Sequence, residues 1–437
     1  MKNIKKMNKD ETIAVVGLGY VGLPTMIAFH ESGFKVIGVD ISEEVISNLK
    51  KGINPLIDST DKLKIPTNSD NWKVTTEYEE AIPHSDIIII TVPTPVNEDK
   101  SPNLDFVNMA SKQIIKNLNY SKDTIIILES TVYPGVTREI IGKELIHSDI
   151  DNDKVEIAYC PERVSPGDIG KGISNIARVL GCDSKKKGIY LAELYSLITT
   201  EGCKYVGKIE IAEAAKLIEN VQRDIDIAFT NELARILPKM GLDVEEVLDA
   251  ASTKWNFHRH TPGIGVGGHC IPVDPYYYIS ISEKLGENAK MSIAAREVNT
   301  SMPDYVANSV KDILNNIQGN DIFILGYSYK PELGDIRETP VQELVKKLTE
   351  GGNKVTVWDP YVSPEKMPKE VRGIESLSEI KLFDVAILAT AHKKCIDIDW
   401  ADLLNKSRSK IIYDGRRALK KEKMELLGWQ YMGIGIE

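Results

Sequence analysis

The chain has 437 residues, 42% of them hydrophobic and 27% charged, and a net charge of −10. That length is enough for two or three domains with sizeable cores. An acidic chain with no Arg/Lys tract is not built to hold nucleic acid, and no apolar run is long enough for a membrane span.

The five cysteines are odd in number, scattered and without CxxC spacing. This argues against a disulfide framework or a zinc site and for a reducing, cytoplasmic setting. The four lysines in residues 2–9 read as a frayed terminus rather than a targeting signal, because no apolar segment accompanies them.

The first predicted strand covers 12–16 and is apolar and β-branched. It runs into Gly17-Leu18-Gly19-Tyr20-Val21-Gly22, then a helix to about residue 32, then a strand over 35–40 that ends in Asp40. Strand, GxGxxG, helix, strand and acid together predict a dinucleotide site. Gly17 permits the tight turn, Gly19 lets backbone approach a pyrophosphate, and Gly22 allows close helix–strand packing. The helix N-terminus offers N–H groups and a positive dipole end to the phosphates, with Tyr20 and Val21 beside them. Asp40 lies 18 residues past Gly22, placed to take the ribose hydroxyls and to repel a 2′-phosphate, so NAD is favoured over NADP.

Continuous apolar runs at 86–92 and 123–128 predict parallel strands covered on both faces. Ligands of such sheets sit at the strands' carboxyl ends. Thr94 and Thr131 are therefore candidate cofactor neighbours, though hydroxyls after strands also serve as helix N-caps. A strand over 155–159 leads to Cys160-Pro161-Glu162-Arg163-Val164-Ser165-Pro166-Gly167. Glu162 and Arg163 either face the same crevice or form an ordinary surface pair.

Residues 209–240 predict one long helix stopped by Gly241, with a surface suited to a dimer contact. On it Lys216, Asn220 and Arg223 stand at i, i+4 and i+7, on one face. A solvated stripe is one reading of them. An Asn flanked by two cations also suits an anionic, hydroxyl-rich ligand.

A further helix over 244–252 precedes Trp255-Asn256-Phe257-His258-Arg259-His260, in which Arg259 is a candidate phosphate or sugar contact. Then comes Gly263-Ile264-Gly265-Val266-Gly267-Gly268-His269-Cys270-Ile271-Pro272-Val273-Asp274-Pro275. Glycines give this loop backbone freedom and close approach. Cys270 is either a nucleophile held against a ligand or a buried structural thiol. His258, His260 and His269 have no carboxylate or further His at ligand spacing, so no metal is expected.

The last third repeats the first. Strands over 321–326, ending in Gly326, and 354–359, ending in Asp359, flank a helix over 339–350. Strands over 384–390 and 410–414 match those at 86 and 123. GxGxxG is lost from this copy, which instead carries Tyr327-Ser328-Tyr329-Lys330-Pro331, then Asp335-Ile336-Arg337, and Asp414-Gly415-Arg416. Lys330 and Arg416 suit phosphate or carboxylate recognition. The expected class is α/β: two doubly wound Rossmann-like domains, 1–207 and 301–437, joined by a central helical region over 208–300.

In combination these motifs resemble the UDP-glucose/GDP-mannose dehydrogenase family over essentially the whole chain. The carriers are GLGYVG with Asp40, the Thr131 strand end, Pro161-Glu162, Lys216 with Asn220, GVGGHCIPVD, Tyr329-Lys330-Pro331 with Asp335-Ile336-Arg337, and Asp414-Gly415-Arg416. The resemblance implies NAD-dependent oxidation of a nucleotide sugar at C6, from alcohol to acid, in two steps through a thiohemiacetal and a thioester, by a homodimer or higher homo-oligomer. It implies Cys270 as nucleophile, Lys216 and Asn220 at the reacting carbon, Asp274 as their water-orienting carboxylate and Glu162 as an aid to hydrolysis. Substrate contacts are implied at Arg163, Val164, Arg223, His258, Gly265, Lys330, Arg416 and Arg259 (the last from a partner subunit), and a cofactor contact at Arg337.

Two departures point to the branch acting on UDP-N-acetylhexosamines. His269-Cys270-Ile271-Pro272-Val273-Asp274 replaces the S-C-F-P-K-D of UDP-glucose enzymes, and Pro166 replaces an acid. UDP-N-acetyl-D-mannosamine is the expected substrate, with UDP-GlcNAc and UDP-GalNAc as alternatives. A single-step NAD-dependent hydroxyacid dehydrogenase would have no need of Cys270. A non-catalytic nucleotide-sugar-binding protein would need none of the reactive groups.

Overall fold

The computed structural model describes residues 9–56, 63–148, 154–163 and 172–436. The chain divides into two compact units, 1–219 with 276–285, and 220–275 with 286–437. The stretch 208–300 is thus shared between two units.

In the first unit β1 (Thr12–Val16), α1 (Gly22–Glu31), β2 (Lys35–Val39), α2 (Glu43–Lys50), β3 (Trp72–Thr75), β4 (Ile87–Ile90), α3 (Asp105–Lys116), β5 (Thr124–Leu128), α4 (Lys143–His147) and β6 (Val155–Tyr159) alternate. They are followed by β7 (Arg178–Cys182), α5 (Lys185–Tyr195) and β8 (Cys203–Gly207). The sheet order is β3-β2-β1-β4-β5-β6-β7-β8, parallel except where β6 meets β7. Every residue of β1 and β4 is buried, which is why these strands read as unbroken apolar runs instead of alternating ones. The order reverses between β1 and β4, so their carboxyl ends frame the crevice.

The link is α6 (Ile209–Ile236), which ends before a 3-10 turn at Pro238–Met240 and a left-handed Gly241. It is four residues shorter than the sequence suggests. Pro238 lacks the N–H an α-helix needs, so the last turn tightens.

In the second unit α7 (Val244–Ala251) is followed by the glycine-rich loop; α8 (Asp274–Lys284) starts at the end of that loop and from Tyr276 on belongs to the first unit. Then come α9 (Lys290–Ile317), β9 (Asp321–Leu325), α10 (Pro340–Glu350), β10 (Lys354–Trp358), β11 (Arg372–Gly373), β12 (Phe383–Leu388), β13 (Ser407–Asp414) and β14 (Gln430–Gly433). Here the order is β11-β10-β9-β12-β13-β14, all parallel, repeating the arrangement of the first six strands of the other sheet.

The repeat extends to single atoms. Gly17 N–H donates to Val39 O, and Gly326 N–H to Trp358 O, both at 2.8 Å. Asp86 accepts from the N–H of Thr12, and Asp384 from that of Asp321. Each of these carboxylates is paired with a cation, Lys122 or Arg408. α9 passes through position 300 without a break, carrying Pro303 inside it.

Candidate active site

The turn after β1 has the geometry a dinucleotide needs. Gly17 sits at φ +93°, a region where L side chains are strained. A Cβ on Gly22 would lie 1.8 Å from the Gly17 carbonyl oxygen, whereas one on Gly19 would meet nothing within 4 Å. Gly22 therefore packs helix against strand, and Gly19 leaves open the space a pyrophosphate would take. No side chain caps the start of α1, and no acid lies in its first turn. Its N–H groups and dipole are left to an anion.

Asp40 accepts from the N–H of Leu18 and of Ser42, which fixes the carboxylate at the lip of the turn. These residues fit NAD. Thr91, passed over in the sequence, closes the turn by donating to the Gly17 carbonyl at 2.6 Å. A threonine ending an apolar strand gives no distinctive signal. Thr94 and Thr131 follow β4 and β5 and cap neither of the helices beyond them, whose N-cap positions are Leu104 and Thr137.

Glu162 and Arg163 do not form a pair of side chains. Arg163 binds Glu219 with two nitrogens, at 2.9 and 2.6 Å. Glu162 is buried, accepts from the Arg163 N–H at 2.6 Å, and is ion-paired to Arg178. The surface-pair reading fails because the antiparallel β7 carries a buried cation to the end of β6. Val164 lies outside the described residues.

On α6 the three polar positions are graded: Lys216 is buried, Asn220 intermediate and Arg223 exposed. Asn220 Nδ2 donates to the carboxylate of Asp274, itself only 2% exposed. This joins two of the expected site residues across 54 positions of sequence.

The glycine-rich loop lies against the carboxyl ends of β9 and β13. A Cβ on Gly263 would meet Arg416 Nη1 at 2.7 Å, and one on Gly265 (φ +143°) would meet Pro340 at 2.9 Å. Gly267 and Gly268 lie against Tyr329, and the Gly268 N–H donates to the Arg337 carbonyl. The loop is glycine-rich because a side chain at these positions would strike Arg416, Pro340 or Tyr329 of the same unit. Burial pushes Arg416 down to about 10, still cationic at neutral pH, and its Nε donates to Ala389 O. Burial, with the Arg337 charge, pushes His269 below its usual range, so the imidazole is neutral at pH 7.

Cys270 is exposed, whereas Cys160, Cys182 and Cys395 are buried and Cys203 is intermediate. This removes the reading of Cys270 as a buried structural thiol. Its carbonyl accepts from the Val273 and Asp274 N–H groups, a turn that feeds directly into α8.

The entrance to the loop is held by a buried network. Asn231 Oδ1 accepts from the Gly263 N–H at 2.9 Å, and its amide donates to Asn299. Asn299 in turn donates to Asp224, which pairs with Arg296. Asn231→Ala would leave a buried N–H and the Asn299 carbonyl without partners, a loss of about 1–3 kcal/mol. The expected result is a melting temperature several degrees lower; an unchanged one would mean the loop entrance is held some other way.

Of the other expected contacts, Arg259 reaches back to Glu245 and Asp249, and His258 is exposed beside it. Arg337 is chelated by Asp335. Lys330 is half-buried, in the loop after β9.

The second unit lacks a dinucleotide turn. Ser328 Oγ bonds His392 and the Lys330 carbonyl, and α10 starts only at Pro340. Asp359, the counterpart of Asp40, is taken up by His392 and four backbone N–H groups.

Three consecutive family models match the chain. They are the UDP-glucose/GDP-mannose dehydrogenase NAD binding domain over 11–199, the central domain over 210–301 and the UDP binding domain over 323–421. The chain belongs to the UDP-glucose/GDP-mannose dehydrogenase family. It carries the NAD binding domain of that family, on the cradle described above.

It is 36% identical to a UDP-N-acetyl-D-glucosamine 6-dehydrogenase of Salmonella typhi, covering 95% of this chain and 98% of that protein. It is 35% identical to a UDP-N-acetyl-D-mannosamine dehydrogenase of Methanocaldococcus jannaschii, covering 100% and 99%. Among solved structures, a UDP-D-ManNAc dehydrogenase of Pyrococcus horikoshii superimposes with a TM-score of 0.86 at 31% identity, over 97% of this chain and 99% of that one. Among the described residues no helix of this family member is long and apolar enough to cross a membrane.

Proposed function

We propose that the protein oxidises the C6 hydroxyl of UDP-N-acetyl-D-mannosamine to the uronic acid, in two steps, using Cys270 as a covalent acceptor. The observation that carries this reading is the exposed Cys270 four residues before an Asp274 held by Asn220. When bound, NAD supplies the hydride acceptor for both oxidations.

Asp274, working through a water, takes the proton of the C6 hydroxyl, and the Lys216 ammonium steadies the developing oxyanion; each is worth roughly 10²–10³ in rate. The Cys270 thiolate adds to the aldehyde, giving a thiohemiacetal that loses the second hydride and becomes a thioester. Glu162 assists the hydrolysis. Covalent capture keeps a reactive aldehyde from escaping and divides one hard oxidation into two easier ones.

Relatives named for both UDP-N-acetylglucosamine and UDP-N-acetylmannosamine support a UDP-N-acetylhexosamine. UDP-ManNAc, UDP-GlcNAc and UDP-GalNAc assayed side by side decide among them. The expected result is the highest kcat/KM for UDP-ManNAc and two NADH per sugar consumed. A yield of one would sink the two-step reading, and a preference for UDP-GlcNAc would move the substrate within the same chemistry.

The working form we propose is a homodimer or larger homo-oligomer. Ile211, Ile218, Phe229 and Ile236 are all exposed on α6 at spacings of whole helical turns, an apolar stripe of the kind that marks an interface. Phe229→Glu should shift the species seen by light scattering to monomer; an unchanged mass would place any interface elsewhere.

A further inference from the structure

The first unit holds a buried charge cluster that the proposed reaction uses at only one point. Glu129, one residue past β5, is fully buried. Arg178, the first residue of β7, is 2% exposed, and Glu162 is 8% exposed. The β6–β7 ladder pairs Ala158 with Cys182 and Tyr159 with Gly181. Extended past the strand end, that register sets Arg178 opposite Glu162.

Arg178 Nη2 binds one Glu162 oxygen and the Arg163 N–H binds the other. Arg178 Nη1 lies 3.3 Å from Glu129, whose other oxygen accepts from Tyr195 O–H at 2.6 Å. The guanidinium stacks over the Tyr195 ring with 5.2 Å between its carbon and the ring centroid. One buried cation therefore lies between two carboxylates, hydrogen-bonded to Glu162 and ion-paired with Glu129, with its plane stacked on Tyr195. Contacts on three sides limit how the guanidinium can turn.

We propose that Arg178, braced by Glu129 and Tyr195, is a positioning residue for Glu162, fixing that carboxylate in place for hydrolysis of the thioester. This rests on the covalent reading above. In the step, water adds to the thioester carbonyl carbon and gives its proton to Glu162. The C–S bond breaks, and the Cys270 thiolate leaves with the electron pair. Without the guanidinium, one Glu162 oxygen would lose its hydrogen-bond partner and the carboxylate would be free to turn away from the water it serves.

The titratable groups facing the cluster are Tyr195 and Cys160. Burial pushes both well above their ordinary values, so both stay protonated. Burial also pushes Glu129 up.

The test compares Arg178→Lys, Arg178→Gln and the double variant Glu129→Gln/Arg178→Gln, the last included because Arg178→Gln alone leaves two buried carboxylates and can fail to fold. Rapid mixing with NAD and UDP-ManNAc follows NADH, and intact mass after acid quench follows the adduct on Cys270. For the glutamine variants the expected result is a burst of two NADH per site, an accumulated thioester and turnover at least tenfold slower. Arg178→Lys, which keeps a cation beside Glu162, should restore part of the turnover and lessen the accumulated adduct. If burst and turnover fall together with no adduct, and Arg178→Lys rescues nothing, the cluster is merely structural and the proposal fails. If no adduct forms in the wild-type protein under any quench, it is the covalent reading that fails.

Discussion

Cys270→Ala is expected to abolish formation of the uronic acid, lowering acid production at least about a thousandfold, the scale seen when a covalent nucleophile is removed. The thiol is exposed, so its loss leaves no core cavity and the melting temperature should hold. What remains is at most the first oxidation. A single NADH per sugar, at a low rate, would then accompany free aldehyde, which a hydrazine reagent traps. Acid produced at the wild-type rate would remove Cys270 from the mechanism. The size of the effect follows from the chemistry, because without a covalent acceptor the aldehyde must be hydrated and oxidised by groups arranged for a different step.

The second large effect is expected at the turn after β1, where two glycines have different reasons to lack a side chain. In Gly22→Ala the new methyl would lie 1.8 Å from the Gly17 carbonyl oxygen and 2.4 Å from Thr91 Oγ1. Helix and strand must separate, at a cost of about 1–3 kcal/mol. NAD affinity should fall at least tenfold, equivalent to about 1.4 kcal/mol, and the melting temperature should fall with it. In Gly19→Ala the methyl meets no protein atom within 4 Å. The fold should be untouched while NAD binding weakens, because the methyl takes the space of the pyrophosphate. Calorimetric titration with NAD beside a thermal melt separates the two cases. Wild-type affinity in Gly19→Ala would move the pyrophosphate away from this turn.

The same residues show how far a sequence can be read. GxGxxG, Asp40 and the apolar strands state their structure directly, because backbone conformation and strand burial are local properties that residue type reports. The internal repeat was legible for the same reason. The glycines of the loop before Cys270 marked a close approach without naming its partner. Only the folded chain shows Tyr329, Pro340 and Arg416 lying against them.

Long-range pairings were the part that could not be read. Arg163 and Glu162 are adjacent in sequence, yet their side chains turn to Glu219 and Arg178, 56 and 16 residues away. No pattern in the chain announced Arg178, because a single arginine opening a strand resembles any surface cation. The 28-residue α9 likewise runs straight through the boundary expected at 300, carrying Pro303 inside it, a residue a packed helix can tolerate.

By itself the sequence determined the two doubly wound units, the dinucleotide turn, the preference for an NAD-type ribose and the place of a thiol in a glycine loop. Each of these rests on short-range periodicity, turn chemistry or motif spacing. Tertiary structure alone decided that Cys270 is exposed, that Asn220 holds Asp274, that the second unit has given up its dinucleotide turn, and that Glu162 is gripped by a buried arginine. Those outcomes depend on which strand ends and helix faces meet. Burial then sets which charges survive and what they hold, and no stretch of sequence carries that information alone.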